Sequence, residues 1–261
     1  MKRAILLLLP FLAACGGPPA LVRILEVNDI HVLDEESMAY PSRVVDAMNG
    51  EKADLVLVCG DVATDGKEGE LLLARKVLDR FVVPYHVVAG NHDALHKGDR
   101  EEELFKRVFE QKETTYAFES HGIHFVAIDP GCGSNYKENR VPPAVVERLR
   151  AIAAAIPPDR PVILFSHYAY GTGVSGRTPN ADEVLGLFKG RRLLAVLSGH
   201  WHGNTERREG GVLFTTTACA SSTRNNHDKT TAKGYRVLIV REGREVSTEF
   251  KAVPTGEAGP R

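Results

Sequence analysis

Two histidines stand two residues apart in Leu197-Ser198-Gly199-His200-Trp201-His202, directly after a glycine and at the end of the apolar run Leu193–Leu197. In an extended segment, side chains at i and i+2 share a face, so both imidazoles are expected to reach one site just past a strand end. Four further short motifs follow runs that read as buried strands: Asp29-Ile30-His31, Gly60-Asp61, Gly90-Asn91-His92-Asp93 and Ser166-His167. Together Asp29, His31, Asp61, Asn91, His167, His200 and His202 supply two carboxylates, four imidazoles and one amide. Imidazole suits Zn, Fe, Mn and Ni, and carboxylate and amide oxygens suit harder ions, so this set fits two metal ions of a Mn, Fe or Zn combination. Such a pair brings roughly +4 to +5 against about −2 from the ligands, and the surplus attracts an anionic phosphate. A water bridging two metals becomes hydroxide near neutral pH, because coordination lowers its pKa from about 15.7 to roughly 7. The same pair stabilises the attacking and leaving oxygens of an in-line displacement. His92 stands outside the ligand set and is the candidate general acid for a leaving alkoxide. Asp93 is expected to fix its tautomer. Gly60, Gly90 and Gly199 each come immediately before a ligand-bearing residue, where they permit sharp exits and close backbone approach.

Positioning these groups needs several strands ending at one edge. Leu21–Val27, Leu55–Cys59 and Tyr85–Ala89 read as buried strands, separated by helical patterns over Pro41–Asn49 and Glu68–Arg80. That rhythm argues a parallel βαβ sheet, in which ligands gather beyond the carboxyl ends of the strands. Residues 101–110 read as a charged surface helix, and Thr115–Glu119 with Ile123–Asp129 as a hairpin through Ser120-His121-Gly122. A helix is expected over Val141–Ala155 and a strand over Val162–Phe165. A second, shorter helix starts at a capping box, Asn180 with Glu183. After the His-x-His motif, Thr205–Arg208, Val212–Thr217, Tyr235–Arg241 and Glu245–Lys251 read as antiparallel strands.

The 261 residues are 43% apolar with a formal net charge of −1. The length and the lack of repeats favour one domain, and the charge argues against a general nucleic-acid binder. Lys2-Arg3 followed by the apolar run Ala4–Ala14 reads as a secretion signal, too short to span a bilayer. Leu12-Ala13-Ala14-Cys15 resembles a bacterial lipobox, in which Cys15 is lipidated. The organisation expected is a signal peptide over 1–14, a lipidated tether over 15–20, the domain over 21–253 and a disordered tail over 254–261. The protein would then be a bacterial cell-envelope lipoprotein, periplasmic or anchored to the outer membrane through its lipid; an ordinary signal peptide with a chance cysteine is the alternative. Cys59 reads as a small buried hydrophobe, and Cys132 with Cys219 is the one pair to consider for a disulfide.

The order Asp-x-His, Gly-Asp, Gly-Asn-His-Asp, His and Gly-His-x-His resembles the calcineurin-like metallophosphoesterase superfamily, over roughly Ile24 to Val240. The resemblance implies an α/β four-layer αββα sandwich with two mixed sheets flanked by helices. It implies one metal held by Asp29, His31, Asp61 and His202, and a second held by Asp61, Asn91, His167 and His200, with Asp61 bridging. His92 corresponds to the catalytic histidine. Thr64 stands where purple acid phosphatases carry their tyrosine, which argues against a purple Fe–Tyr site. The compact length, and Thr215–Ser222 followed by Gly234-Tyr235-Arg236-Val237, are similar to class III cyclic-nucleotide phosphodiesterases; an exported protein would not meet cytoplasmic cyclic AMP.

Outside the motifs, His86, His96, His121 and His124 read as packed or surface residues. Trp201, between two ligands, is expected to face away from the metals. His227, Arg224 and Tyr168 are candidate substrate contacts. The leading function is a dinuclear phosphoesterase acting on phosphodiesters or phosphomonoesters by attack of a metal-bound hydroxide, with His92 as acid. The alternative is a lipid-anchored protein that holds a phosphorylated ligand without turning it over.

Overall fold

Successive side chains of β2 (Leu55–Cys59) point to opposite faces, and every residue in it is buried. Leu55, Leu57 and Cys59 pack into one apolar cluster, whereas Val56 and Val58 pack into another. The same split occurs in β5 (Ile123–Ile128), where Phe125 and Ala127 join the first cluster and Val126 and Ile128 a third. A strand with two apolar faces belongs in the middle of a sandwich.

The computed structural model describes residues 20–94, 101–131, 139–242 and 245–256. The signal segment 1–14, Cys15, His96, Cys132 and the last five residues lie outside them. Among the described residues, eleven strands form two sheets. The first runs β11 (Val246–Ala252), β10 (Gly234–Arg241), β1 (Ala20–Val27), β2, β3 (Tyr85–Val88). The second runs β4 (Tyr116–Ser120), β5, β6 (Pro161–Ser166), β7 (Arg192–Ser198), β9 (Val212–Thr216), β8 (Thr205–Glu209). Ile24, Leu57, Phe125, Ile163 and Leu197 fill the space between the sheets. The outer face of the first sheet is covered by α1 (Ala39–Asn49), α2 (Glu68–Leu78) and α3 (Glu101–Val108). The outer face of the second is covered by α4 (Pro143–Ala155) and α5 (Ala181–Leu187). Three apolar clusters between four layers make the αββα sandwich.

The strands after the His-x-His motif pair antiparallel as expected, β8 with β9 and β10 with β11, and β9 in addition lies parallel to β7. Two other expectations are corrected. Asn180 makes no capping bond; its Oδ1 accepts from the Val141 amide, and its Nδ2 donates to Val141 O and Glu183 Oε2. Helix α3 is more than a surface element, since Phe105 and Val108 are buried against the first sheet. The tail begins in order: Tyr40 Oη donates to the Val253 carbonyl and Arg43 donates to that of Thr255. No helix among the described residues is long and apolar enough to cross a membrane.

Candidate metal centre

Strands β1, β2, β6 and β7 end at Val27, Cys59, Ser166 and Ser198, and the donor residues follow within a few positions. The pairs β1–β2 and β6–β7 are parallel, so their carboxyl ends bring these loops to one edge of the sandwich. The turn into the site is not extended backbone. Asp29, His31, Asp61, His200 and His202 all have φ between 45° and 63°. Non-glycine residues with positive φ are uncommon and cost on the order of 1–3 kcal/mol each. Five such residues converge here, which shows how strongly the surrounding packing dictates the geometry. It also corrects the two-residue argument: His200 and His202 do not share a face of a strand, and they join different groups.

Asp29, His31, Asp61 and His202 place their donor atoms within 4.8 Å of one another, as do Asp61, His167 and His200. Asp61 belongs to both groups. Asn91 joins the second, its Oδ1 3.1 Å from His167 Nε2. The ring orientations are set from behind. His167 Nδ1–H donates to the Cys59 carbonyl at 3.0 Å, and His202 Nδ1–H to the Asn225 carbonyl at 3.0 Å. A carbonyl only accepts, so each ring keeps its Nδ1 proton and turns Nε2 inward as the nitrogen left for a metal. His202 Nε2 lies 3.3 Å from His31 Nε2 and 2.9 Å from Asp29 Oδ1. His167 Nε2 lies 3.1 Å from His200 Nδ1 and 3.3 Å from Asp61 Oδ2. Imidazole nitrogens facing one another and two carboxylates, all buried except His200, are an arrangement that cations stabilise. This donor set fits two metal ions.

The titration behaviour agrees. Burial pushes the His202 ring down, but the Asp29 charge and hydrogen bond overcome it and carry its pKa up to about 11. Burial opposes, and the Asp61 charge and hydrogen bond raise, His167, which reaches about 9. Both carboxylates are held low against burial, Asp29 by His202 and Asp61 by His167. A proton sits where a metal would, so binding of a cation must displace it. His200 is different: burial and the His167 charge lower it to about 4, leaving a neutral donor.

His92 stands at the rim of this cluster, its ring edge-on to His31 at 4.8 Å between centroids. Its Nδ1 is 2.6 Å from the Thr64 carbonyl and therefore carries the proton, which leaves Nε2 for the cavity it lines. Its backbone amide donates to Asp61 Oδ1 at 2.8 Å. Asp93 does not hold the His92 ring. Its two oxygens accept from the Ala63 and Gly90 amides, both at 2.8 Å, tying the loops after β2 and β3 together. Burial and then Asp61 push its carboxyl up to about 8. The glycines act by proximity: a Cβ on Gly90 would lie 2.2 Å from Asp61 Oδ1, and one on Gly199 2.7 Å from Asp29 Oδ2.

Behind Asp29 lies a buried polar network that the motifs do not announce. Asn28 Nδ2 donates to Asp29 Oδ2 and to the Thr217 carbonyl. Thr217 Oγ1 donates to Glu26 and accepts from Arg236 Nε at 3.1 Å. Arg236, on β10 of the first sheet, also donates to Thr216 O and Asn204 of the second. It is the largest fully buried side chain among the described residues. Period-two alternation puts it on the same face as Leu238 and Val240, a cation among core positions, and that was its signal in the sequence.

The cavity over the metal centre measures about 610 Å³. His227 and Arg224 line it; Tyr168 does not, being 1% exposed with its ring packed on His167 and His200. Trp201 lines the cavity as well, edge-on to His227, rather than facing away. His86 stacks on Phe118, a packed residue as expected. Cys219 is buried with its Sγ against the Arg224 carbonyl.

An αββα sandwich with paired His/Asp donor groups sharing one carboxylate at its strand ends defines a dimetal hydrolase architecture. The model of the calcineurin-like phosphoesterase family matches residues 22–204, and the chain belongs to that family: it is a metal-dependent phosphoester hydrolase. A probable glycerophosphodiester phosphodiesterase GpdQ of Arcobacter nitrofigilis is 26% identical over 201 residues, 69% of this chain and 71% of the relative. A dimetal phosphatase from Danio rerio shares the fold with a TM-score of 0.64 at 15% identity, over 89% of this chain and 99% of that one. GAP50, described as the anchor in the inner membrane complex of Plasmodium, does so with a TM-score of 0.65 at 18% identity, over 90% and 86%.

Proposed function

We propose that the chain hydrolyses phosphodiester or phosphomonoester bonds at a dinuclear centre of Mn, Fe or Zn, with His92 as general acid. The observation that carries this reading is the convergence of imidazole nitrogens on the shared Asp61, with His92 Nε2 facing the same cavity. When bound, a metal pair supplies a water acidified to near neutrality and positive charge for the phosphoryl oxygens. The residues do the rest. Asp29 with His31 and His202, and Asn91 with His167 and His200, would hold the two positions. Asp61, fixed through Oδ1 by the His92 amide, turns Oδ2 toward both groups. His92, in its protonated form, gives the Nε2 proton to the departing alkoxide. The Thr64 carbonyl keeps Nδ1 protonated, so a neutral ring is left afterward.

The relative described as a glycerophosphodiester phosphodiesterase supports diesters as the first class to assay. Bis(p-nitrophenyl) phosphate and p-nitrophenyl phosphate, each with added Mn²⁺, Fe²⁺ or Zn²⁺ and with EDTA, test the reading. Hydrolysis lost in EDTA is expected, and a faster diester rate would fix the bond type. No turnover with any of the three metals would leave a protein that only holds a phosphorylated ligand. We further place this domain at a bacterial cell envelope, in the periplasm or at the outer membrane, tethered by lipid on Cys15. The support is the basic-then-apolar N-terminus and Leu12-Ala13-Ala14-Cys15. Loss of membrane association in Cys15→Ala tests it.

A further inference from the structure

Loop 221–233 is held from within by polar side chains. Asn226, 6% exposed, accepts from the Cys219 amide at 3.1 Å and donates to the Thr230 and Ala232 carbonyls at 3.1 and 2.7 Å. Lys233, 8% exposed, donates to the carbonyls of Ser221 and Arg224. This frame fixes the Asn225 carbonyl on His202 and stacks the His227 ring over His202 at 4.5 Å. It also sets Arg224 in the cavity wall.

Two guanidinium groups line that cavity. Arg177 is engaged, donating to the Tyr170 carbonyl at 2.9 Å and to Asp182 at 2.6 Å. The Arg224 guanidinium has no hydrogen-bond or ion-pair partner among the described residues. Asp61 is the one lining carboxylate among them, and it serves the metals. The nearby Asp65 is taken by Lys67 at 2.6 Å. Thr223, next to Arg224, and Thr64, whose carbonyl holds the His92 ring, both donate to the His31 carbonyl. Arg224 therefore shares the side of the cavity from which His92 protonates a leaving group. The reacting phosphoryl group finds its compensating charge at the metals, so this guanidinium is surplus to it. A volume of about 610 Å³ leaves room for a substituent well beyond one phosphate.

We propose that Arg224 binds a second anionic group, a carboxylate or phosphate, on the leaving alcohol, so that the site prefers phosphodiesters with an anionic arm. A guanidinium offers a planar fork matched to such a group. A quaternary-ammonium arm could stack on Trp201 but would be repelled by Arg224.

The inference rests on the hydrolase reading for its substrate, and the test separates the two. Three methyl aryl phosphates would be compared on metal-loaded protein, the departing aryl arm being phenyl, carboxyphenyl or trimethylammoniophenyl. The wild type is expected to show kcat/KM at least about tenfold higher for the carboxyphenyl ester than for the phenyl ester, equivalent to ~1.4 kcal/mol. The ammonio ester should be the poorest. In Arg224→Gln the three values should fall within about twofold of one another, and Arg224→Lys should recover part of the preference. Calorimetric binding of the matching nonhydrolysable phosphonates gives the same ratios without turnover. Retained binding preference without hydrolysis would uphold this inference while sinking the hydrolase reading. Equal wild-type ratios, a preference for the ammonio arm, or a preference that survives in Arg224→Gln would overturn it.

Discussion

The two halves of the metal centre are built differently. The half around Asp29, His31 and His202 is 0%, 1% and 5% exposed, and is backed by Asn28, Thr217, Glu26 and Arg236 running through the inter-sheet core. The half around Asn91, His167 and His200 opens at His200, which lines the cavity and has no such network behind it among the described residues. The first half is tied to a network that runs through the space between the sheets; the second crosses between them through His167 and the Cys59 carbonyl, and opens at His200. The lesson is that ligands of similar chemistry differ in what their loss costs: fold stability where the network backs them, and mainly occupancy at His200.

The largest break in this comparison comes from the residue both halves share. Asp61→Asn removes the only carboxylate of the second group and weakens the first. Turnover should fall by more than the roughly 100-fold that loss of an outer partner costs, with both metals depleted in elemental analysis. The next contrast separates the halves. Arg236→Met leaves Thr217 Oγ1, the Thr216 carbonyl and Asn204 without their shared donor in the space between the sheets and should cost about 2–4 kcal/mol in urea unfolding. His200→Ala, at a partly open position, should cost about 1 kcal/mol or less in the same assay while lowering metal content. Equal losses in the two variants would remove the distinction.

A smaller effect sharpens it by pH. Burial raises Glu26 from 4.5 to about 7, against the opposing Thr217 bond and Arg236 charge. Between those values the native state binds a proton that the unfolded chain releases, so stability falls as pH rises. The whole loss is present above about pH 7 and absent below about 4.5, and amounts to roughly 3 kcal/mol. Glu26→Gln should remove that slope, so the variant should match the wild type near pH 4.5 and exceed it at pH 8. A wild-type and variant difference that does not change with pH would contradict the buried neutral carboxyl.

Much of this was legible because each motif is a local event at a strand end. Leu55–Cys59 followed by Gly60-Asp61 reads as a buried strand and its exit from those residues alone. The donor set came from residue type, and the four layers came from the resemblance that set carried. What escaped depends on distant partners or on backbone conformation. Asn28 reaches Thr217 across 189 positions, and Thr217 reaches Glu26 across 191. Asp93 adjoins His92 in sequence, which suggested a pair; in space its oxygens turn back to the Ala63 and Gly90 amides instead. The left-handed turns at His200 and His202 cannot be read from a two-residue spacing, and β9 is parallel to β7 only because β8 intervenes as an edge.

The claim on which the account depends is that two cations share Asp61. Calorimetric titration of metal-free protein with Mn²⁺, with proton release followed in buffers of different ionisation enthalpy, tests it directly. Two ions per chain are expected, with protons displaced from His202 and His167 as they bind. One ion or none, or two ions bound just as well by Asp61→Asn, would contradict it.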